Sequence, residues 1–506
     1  MVTKKHVADI AGAITLSPIS PIALGAVLRL IGLGSQDLWY DEAFTAWLAG
    51  LDWGDMLVAT AGDVHPPLWY ALSRLVVLTL GRSEIALRLP AALLSILGLW
   101  LAWKLVRAMG LGSQVATVTV WVLALSPFQI AYAQEARMYS LMLVAILLGA
   151  LGAIRRRWWM YALAALLLLY SHNVGALYVL FLFLLTVGNT VGGDLAPAAK
   201  KTVTNLILTN LAVGAIYAPW MLAAVGQSAN VGRAFWVQRP TIGAMALTLQ
   251  KLYWHVTPPP FLGVPTAFLT GLATICALFA LRDALRERNG HLLAIGGLAF
   301  GPLAMIVAIS WIWRPILVER TMVGCTPFLA MLLAHTLVRH RRSRWLALAA
   351  VPVIAFVVVG GYIDPDMQKG DMGRYVEPVR AQIRPGDAVL HCSPASMVLL
   401  SYYTPGWTHY LWLQESDLSQ SLTARTKAAM HMPETTVETL LADHDRVFVY
   451  WSDTPITVAA EVDEARRIYS TYQVEWETKF DEGELIESGA YLVTNRADQA
   501  ATDDTK

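Results

Sequence analysis

Residues 136–157 read ARMYSLMLVAILLGALGAIRRR. No charged residue occurs from Met138 to Ile154, and three arginines follow at once. An uncharged apolar run approaching 20 residues is a candidate membrane span. A basic cluster marks its cytoplasmic end. This stretch therefore supplies both a span and a direction: Arg155, Arg156 and Arg157 lie inside, and Arg137 lies outside.

Similar runs extend outward in both directions, near 12–33, 84–106, 113–131, 158–172 and 173–190, then 203–224, 264–282, 291–313, 317–338 and 345–363. With 136–154 they predict a polytopic α-helical membrane protein of about 11 spans by the length rule. Composition agrees. Of 506 residues, 56% are apolar and 15% charged, against about 25% charged in soluble proteins, and mean hydropathy is +0.49. A disordered, collagen-like or disulfide-stapled chain is excluded. The three cysteines, Cys276, Cys325 and Cys392, form no CxxC motif, and the C-terminal part holds one of them.

Topology follows from the loops. With Lys4 and Lys5 in the cytoplasm, the inner loops hold Lys104, Arg107, Arg155–Arg157, Lys200, Lys201, Arg282, Arg286, Arg288 and Arg339–Arg344. His65–Leu80 reads as a short helix in the outer interface. If it crossed instead, every later basic loop would face out. An odd number of spans places the C-terminus outside. Residues 1–363 hold 26 Lys and Arg and 13 Asp and Glu, and residues 364–506 hold 12 and 24. This predicts a basic membrane domain over 1–363, with 34–83 as a first external loop carrying interfacial helices, and an acidic extracytoplasmic α/β domain over 364–506. The latter alternates strands (387–392, 446–451, 489–494) with helices (374–383, 434–442, 458–469), and 497–506 reads as a polar tail. The basic residues sit in short loops, which suits membrane topology and membrane lipids better than nucleic acid.

Chemistry concentrates in the outer loops. Asp37, Asp41, Glu42, Asp52, Asp55 and Asp63 lie among Trp39, Tyr40, Phe44, Trp47, Trp53, Trp69 and Tyr70. Two readings fit: a recessed polar site with a lipid-facing edge, or an interfacial helix with an aromatic belt. A carboxylate near the membrane is costly unless paired or solvated, and desolvation raises its pKa, which suits a general base. Adjacent Asp41 and Glu42 cannot share one orientation. The second loop contains Gln134-Glu135-Ala136-Arg137-Met138-Tyr139. Glu135 and Arg137 read either as a helix-capping pair or as a phosphate-binding arginine steadied by its neighbour. His172-Asn173 interrupts an apolar run, where a histidine packs helices or meets a ligand. Arg233, Trp236, Arg239, Lys251, Tyr253, Trp254, His255, Arg314, Glu319 and Arg320 complete the outer features. Their cations suit a sugar phosphate or lipid headgroups.

The ordered set of Asp41-Glu42, His65-Pro66-Pro67-Leu68, Arg88-Leu89-Pro90 and Gln134-Glu135-Ala136-Arg137 resembles the bacterial membrane glycosyltransferases of the GT-C fold. It is closest in style to the protein O-mannosyltransferase-like and aminoarabinose-transferase-like group, over roughly residues 10–340. The resemblance implies an inverting transfer from a polyprenyl-phosphate-sugar donor to an acceptor hydroxyl on a lipid, glycan or protein, at the outer face of the cytoplasmic membrane. It implies Asp41 as the catalytic base, with Glu42 and Asp63 orienting acceptor or sugar. Arg137, with Arg320 or Arg314, would hold the donor phosphate. His65, Gln134, Glu135, Tyr139 and His172 complete the expected substrate-binding set. Gln134-Glu135-Ala136-Arg137 stands where metal-using relatives carry a DxD-like motif, so no metal is expected to be obligatory. Asp41, Asp63 and His65 could still hold a divalent cation. Glu319-Arg320-Thr321 departs from the Arg-Tyr pair of relatives.

A transporter or flippase of a lipid-linked or polar substrate is the main competitor. It would place polar residues at the bilayer midplane in repeated halves, whereas here the acids sit in an outer loop and no repeat is visible. A sensor would leave the Asp41 loop unexplained.

Overall fold

The computed structural model describes residues 17–191, 197–234, 237–255, 260–340, 344–363, 371–413, 422–453, 459–481 and 487–494. The expected tail at 497–506 and Lys4 and Lys5 lie outside them. The chain divides into two compact units: 1–34, 85–222 and 237–368 form one, and 35–84, 223–236 and 369–506 the other.

The first unit is helical. Each apolar run read from the sequence contains a helix: Ile19–Leu30, Glu84–Ala108, Ser113–Ala124, Tyr139–Ile154, Trp158–Ser171, Gly175–Val191, Pro197–Ala234, Pro260–Arg286, Gly290–Ile312, Thr326–Arg339 and Arg344–Ile363. Among the described residues, four helices are by themselves long and apolar enough to cross a membrane. The run at 113–131 is not one helix. It ends at Ala124 and resumes as Pro127–Ala133, bent by 62°. Ser126 accepts a hydrogen bond from Gln129 N–H as the new N-cap, and Pro127 occupies the first turn. Hydropathy does not register such a break, because a proline at that position removes an N–H that has no helical partner.

The Tyr139–Ile154 helix is buried along almost its whole length. It pairs with Trp158–Ser171 through a turn so tight that a Cβ at Gly152 would lie 2.8 Å from Tyr161 N. Arg29 is fully buried and donates to Ser95 Oγ (2.8 Å) and to the carbonyls of Leu123 (3.0 Å) and Ala124 (3.2 Å). It thereby satisfies the last carbonyls of Ser113–Ala124, which a helix end leaves open.

The second unit is built on a six-stranded sheet: β1 (Ala388–His391), β2 (Thr408–Trp412), β3 (Glu434–Thr435), β4 (Arg446–Asp453), β5 (Gln473–Asp481) and β6 (Glu487–Thr494), ordered β3-β2-β1-β4-β6-β5. The first four strands in that order run parallel, while β6 is antiparallel to both β4 and β5. Strands buried on both faces read as unbroken apolar runs, as Ala388-Val389-Leu390 and Val447-Phe448-Val449-Tyr450 do. One face packs Leu390, Val447 and Val449 against helices Val437–Asp443 and Ala459–Thr471, through Leu440 and Ile468. The other packs Val389, Phe448 and Tyr450 against Gly373–Arg380 and Pro394–Tyr403, through Val376 and Leu400.

The register of β5 shifts between Val474 and Trp476. The bulge moves the later side chains to the opposite face, so Val474 packs with the first cluster and Trp476 and Phe480 with the second. The helix expected over 434–442 begins only at Val437, because Glu434–Thr435 pairs with Leu411 and Trp412 as β3.

Three helices from the first external loop belong to this second unit: Tyr40–Gly50, Trp53–Gly62 and Leu68–Leu80. The last is the short helix expected over 65–80.

Candidate active site

The structure sorts the six acids of the first loop. Asp37 Oδ2 accepts from Met372 N–H at 2.7 Å. Asp52 is the N-cap of Trp53–Gly62, accepting from Asp55 N–H at 2.9 Å. That backbone hydrogen bond holds its carboxyl below the usual range. Asp55 Oδ2 meets His431 Nε2 at 2.6 Å. These three serve as ties and caps. Asp41, Glu42 and Asp63 remain as candidates for chemistry.

Asp41 and Glu42 occupy the first turn of Tyr40–Gly50, where the helix dipole favours carboxylates. Successive helical residues point about 100° apart, and the two have different surroundings. Glu42 is fully buried, and Asp41 is half-buried. This helix is anchored at both ends. Leu38 N–H donates to Tyr403 Oη at 2.5 Å just before it, and Trp47 Nε1 donates to Met430 O at 3.1 Å near its end.

Asp63 caps the C-terminus of Trp53–Gly62. Thr426 Oγ1 donates to Ala59 O (3.2 Å), Thr423 Oγ1 to Gly62 O (3.1 Å), and the buried Gln227 amide to Thr60 O (2.8 Å) and His65 O (3.2 Å). A Cβ at Gly62 would lie 2.6 Å from Thr426 Oγ1, so only glycine admits this approach. The segment bearing Asp63 and His65 is thus fixed through its backbone.

The expected phosphate-binding residues lie in the helical unit. Glu135 and Arg137 are both buried, and a tight turn closes between them with Arg137 N–H donating to Glu135 O at 2.7 Å. His172 sits in the turn after Trp158–Ser171, and its Nδ1 accepts from Val174 N–H at 3.1 Å, leaving the proton on Nε2. The charges of Arg137 and Arg320 both reach it. The imidazole thus shares its surroundings with two guanidinium groups from distant parts of the sequence.

The charges of Glu135, Glu319 and Arg320 also act on Tyr132. Tyr132 forms an aromatic group with Tyr139 (ring centroids 4.9 Å apart), Phe128 (4.7 Å) and His255 (5.0 Å). Lys251 Nζ lies 3.5 Å from Glu319. Sequence reading named Arg137, His172, Arg320, Glu135 and Tyr139 separately, and the fold gathers them. Arg314 instead stacks on Trp313, with its guanidinium carbon 5.2 Å from the ring centre. The Gln134 amide donates to Ile31 O (2.8 Å) and Leu28 O (3.2 Å), tying the end of Ile19–Leu30 in place. The side chains of Arg233 and Trp236 lie outside the described residues.

Gln227, Tyr403, Thr423 and Thr426 were not legible as partners, because each acts more than 160 residues from what it holds. Tyr178 belongs with them. It donates to Thr321 O at 2.8 Å beside Arg320, and a Cβ at Gly324 would lie 2.7 Å from its ring.

Among the described residues, no three His, Cys, Asp or Glu side chains converge as a metal site. Residues 64–217 match the sequence profile of the family described as dolichyl-phosphate-mannose-protein mannosyltransferase. No curated protein sequence matches the chain.

Its fold is similar to that of ArnT from Cupriavidus metallidurans. The apo crystal structure aligns with a TM-score of 0.60 at 15% identity, covering 95% of this chain and 98% of that one. The structure bound to undecaprenyl phosphate aligns at 0.58 and 15% identity, covering 93% and 97%. The likeness spans both chains and therefore includes the sheet domain as well as the helices. The chain is a multi-pass membrane protein of the GT-C fold whose residues 64–217 carry the sequence pattern of the dolichyl-phosphate-mannose-protein mannosyltransferases.

Proposed function

We propose that the protein is an inverting glycosyltransferase that moves a sugar from a polyprenyl-phosphate-linked donor to an acceptor hydroxyl on a lipid, glycan or protein. The observation that carries this reading is the buried Arg137, whose charge, together with that of the half-buried Arg320, reaches His172. A buried guanidinium with a second cation nearby suits a phosphate. The match to a mannosyltransferase family over 64–217 supports the same reading, as does the likeness to an ArnT structure that holds undecaprenyl phosphate.

In the proposed step, Asp41 takes the proton of the acceptor hydroxyl. The acceptor oxygen forms a bond to the anomeric carbon as the bond from that carbon to the phosphate oxygen breaks. Polyprenyl phosphate leaves with the bonding electrons, and the anomeric configuration inverts. Arg137 and Arg320 stabilise the charge that develops on the phosphate. The leaving group is already a stable anion, so no general acid is required of the protein, in contrast to glycosidases. Glu42 and Asp63 orient the acceptor and the sugar, and the Gln227 and Thr423 contacts fix the segment bearing Asp63. No metal is assigned a role. By the positive-inside rule the C-terminal domain is assigned to the outer side of the cytoplasmic membrane.

The test is incubation of purified protein with a panel of labelled polyprenyl-phosphate sugars and acceptor extracts, with and without a chelator. Chelator-resistant transfer from one donor is expected. Absence of transfer from every donor, with specific uptake of a polar substrate into proteoliposomes, would replace the reading with transport.

A further inference from the structure

The helical unit contains an open cavity that the proposed reaction does not use. A cavity of about 320 Å³ opens among the ends of Tyr139–Ile154, Gly175–Val191 and Gly290–Ile312. This is the end of the bundle where the basic turns gather, opposite in sequence direction to Arg137. Leu182 and Leu298 belong to its apolar wall, and Arg156, Asn189, Thr190 and His291 supply polar groups. The cavity therefore matches an amphiphile in chemistry.

Arg156 is the informative residue. It follows the Tyr139–Ile154 helix with φ +53°, in the left-handed position that helix ends ordinarily give to glycine. Arg157 N–H bonds to Gly152 O at 2.8 Å and Arg156 N–H to Ala153 O at 3.1 Å, which closes the turn. A side chain there is strained, so the turn alone would be better served by glycine. Among the described residues the Arg156 guanidinium forms no salt bridge, and it is exposed at the cavity. Arg155 and Arg157 flank it in sequence, Lys200 and Lys201 lie between the lining residues Ala199 and Thr202, and all four add positive potential. The first turn of Gly290–Ile312 also faces the cavity through His291, and its dipole favours an anion.

We infer that this cavity binds a phosphate-headed lipid from the cytoplasmic leaflet, with its phosphate at Arg156 and His291 and the start of its chain against Leu182 and Leu298. Basic pockets between membrane helices on that side are suited to anionic headgroups. The shared chemistry is a phosphate monoester or diester of net negative charge on an apolar chain, which an anionic bilayer phospholipid or a polyprenyl phosphate would supply.

The test is lipid retention by native mass spectrometry of the whole protein in detergent, titrated with phosphatidylglycerol, phosphatidylcholine or polyprenyl phosphate. The polyprenyl phosphate arm is run in an Arg137→Gln background, so that the proposed donor site does not contribute. Phosphatidylglycerol is expected to bind the wild type in preference to phosphatidylcholine. Arg156→Gly is expected to weaken binding about fivefold, the effect of one basic residue near a lipid phosphate, while leaving thermal stability equal or higher because the turn loses its strain. Ala153→Phe, which fills the space, is expected to reduce binding without altering charge. Preference for phosphatidylglycerol or for polyprenyl phosphate identifies the source. Unchanged retention in both variants, or equal retention of phosphatidylcholine by the wild type, would overturn the inference.

Discussion

The helix carrying Asp41 and Glu42 is held by a hydrogen bond that can be removed with one atom. Leu38 is 1% exposed, and its N–H donates to Tyr403 Oη at 2.5 Å. Tyr403→Phe leaves that donor buried beside an aromatic edge. Orphaning a buried N–H costs about 1–3 kcal/mol, and the half-buried position of Tyr403 favours the lower end of that range.

The cost falls on the docking of residues 37–50 rather than on the whole fold, because the sheet core does not depend on this bond. Local opening of the Tyr40–Gly50 helix should therefore become about 5- to 150-fold more frequent, the factor that corresponds to 1–3 kcal/mol. Hydrogen–deuterium exchange resolved to peptides covers this directly. Peptides spanning 38–50 should exchange faster by that factor, while peptides from β1 and β4 should not change. Catalytic turnover should fall, with smaller effects on binding of the donor. Unchanged exchange over 38–50 would refute the claim that the C-terminal domain positions the carboxylate helix.

Two further outcomes follow from the same geometry. Gly62→Ala should destabilise the protein by about 1–3 kcal/mol, as overpacking does, and Gly62→Ala/Thr426→Ala should recover part of the loss. Thermal unfolding of the single and double variants measures this. Arg320→Gln should weaken inhibition of transfer by free polyprenyl phosphate more than Arg314→Gln does, because Arg320 acts on His172 and Arg314 stacks on Trp313. Equal effects would assign the phosphate differently.

Much of the helical unit was legible because lipid imposes a length and a polarity on every span. The break at Ser126–Pro127 was not, since its cause is a cap and a proline inside an apolar run. In the sheet domain, β1, β4 and β6 were readable as apolar runs. Residues 473–481 alternate Val474, Trp476, Thr478 and Phe480 with polar residues, yet the bulge breaks the facing pattern. Strand β2 is short, and β3 covers two residues.

Site residues divided along a similar line. Asp41, Asp63, Arg137 and Arg320 could be named because charge near a membrane is costly and therefore informative. Their sorting could not be done in sequence. Asp37 and Asp55 are as acidic as Asp41, and only their bonds to Met372 and His431 reveal them as ties. Gln134, expected among the substrate-binding residues, has its amide on the end of Ile19–Leu30, a contact the sequence did not reveal.

The central claim is tested most directly by single-turnover transfer from a labelled polyprenyl-phosphate sugar, comparing wild type with Asp41→Asn. Loss of a general base typically slows the chemical step by about 10²–10⁴-fold. The account predicts a fall of that size with donor affinity retained. Transfer by Asp41→Asn at the wild-type rate would contradict it.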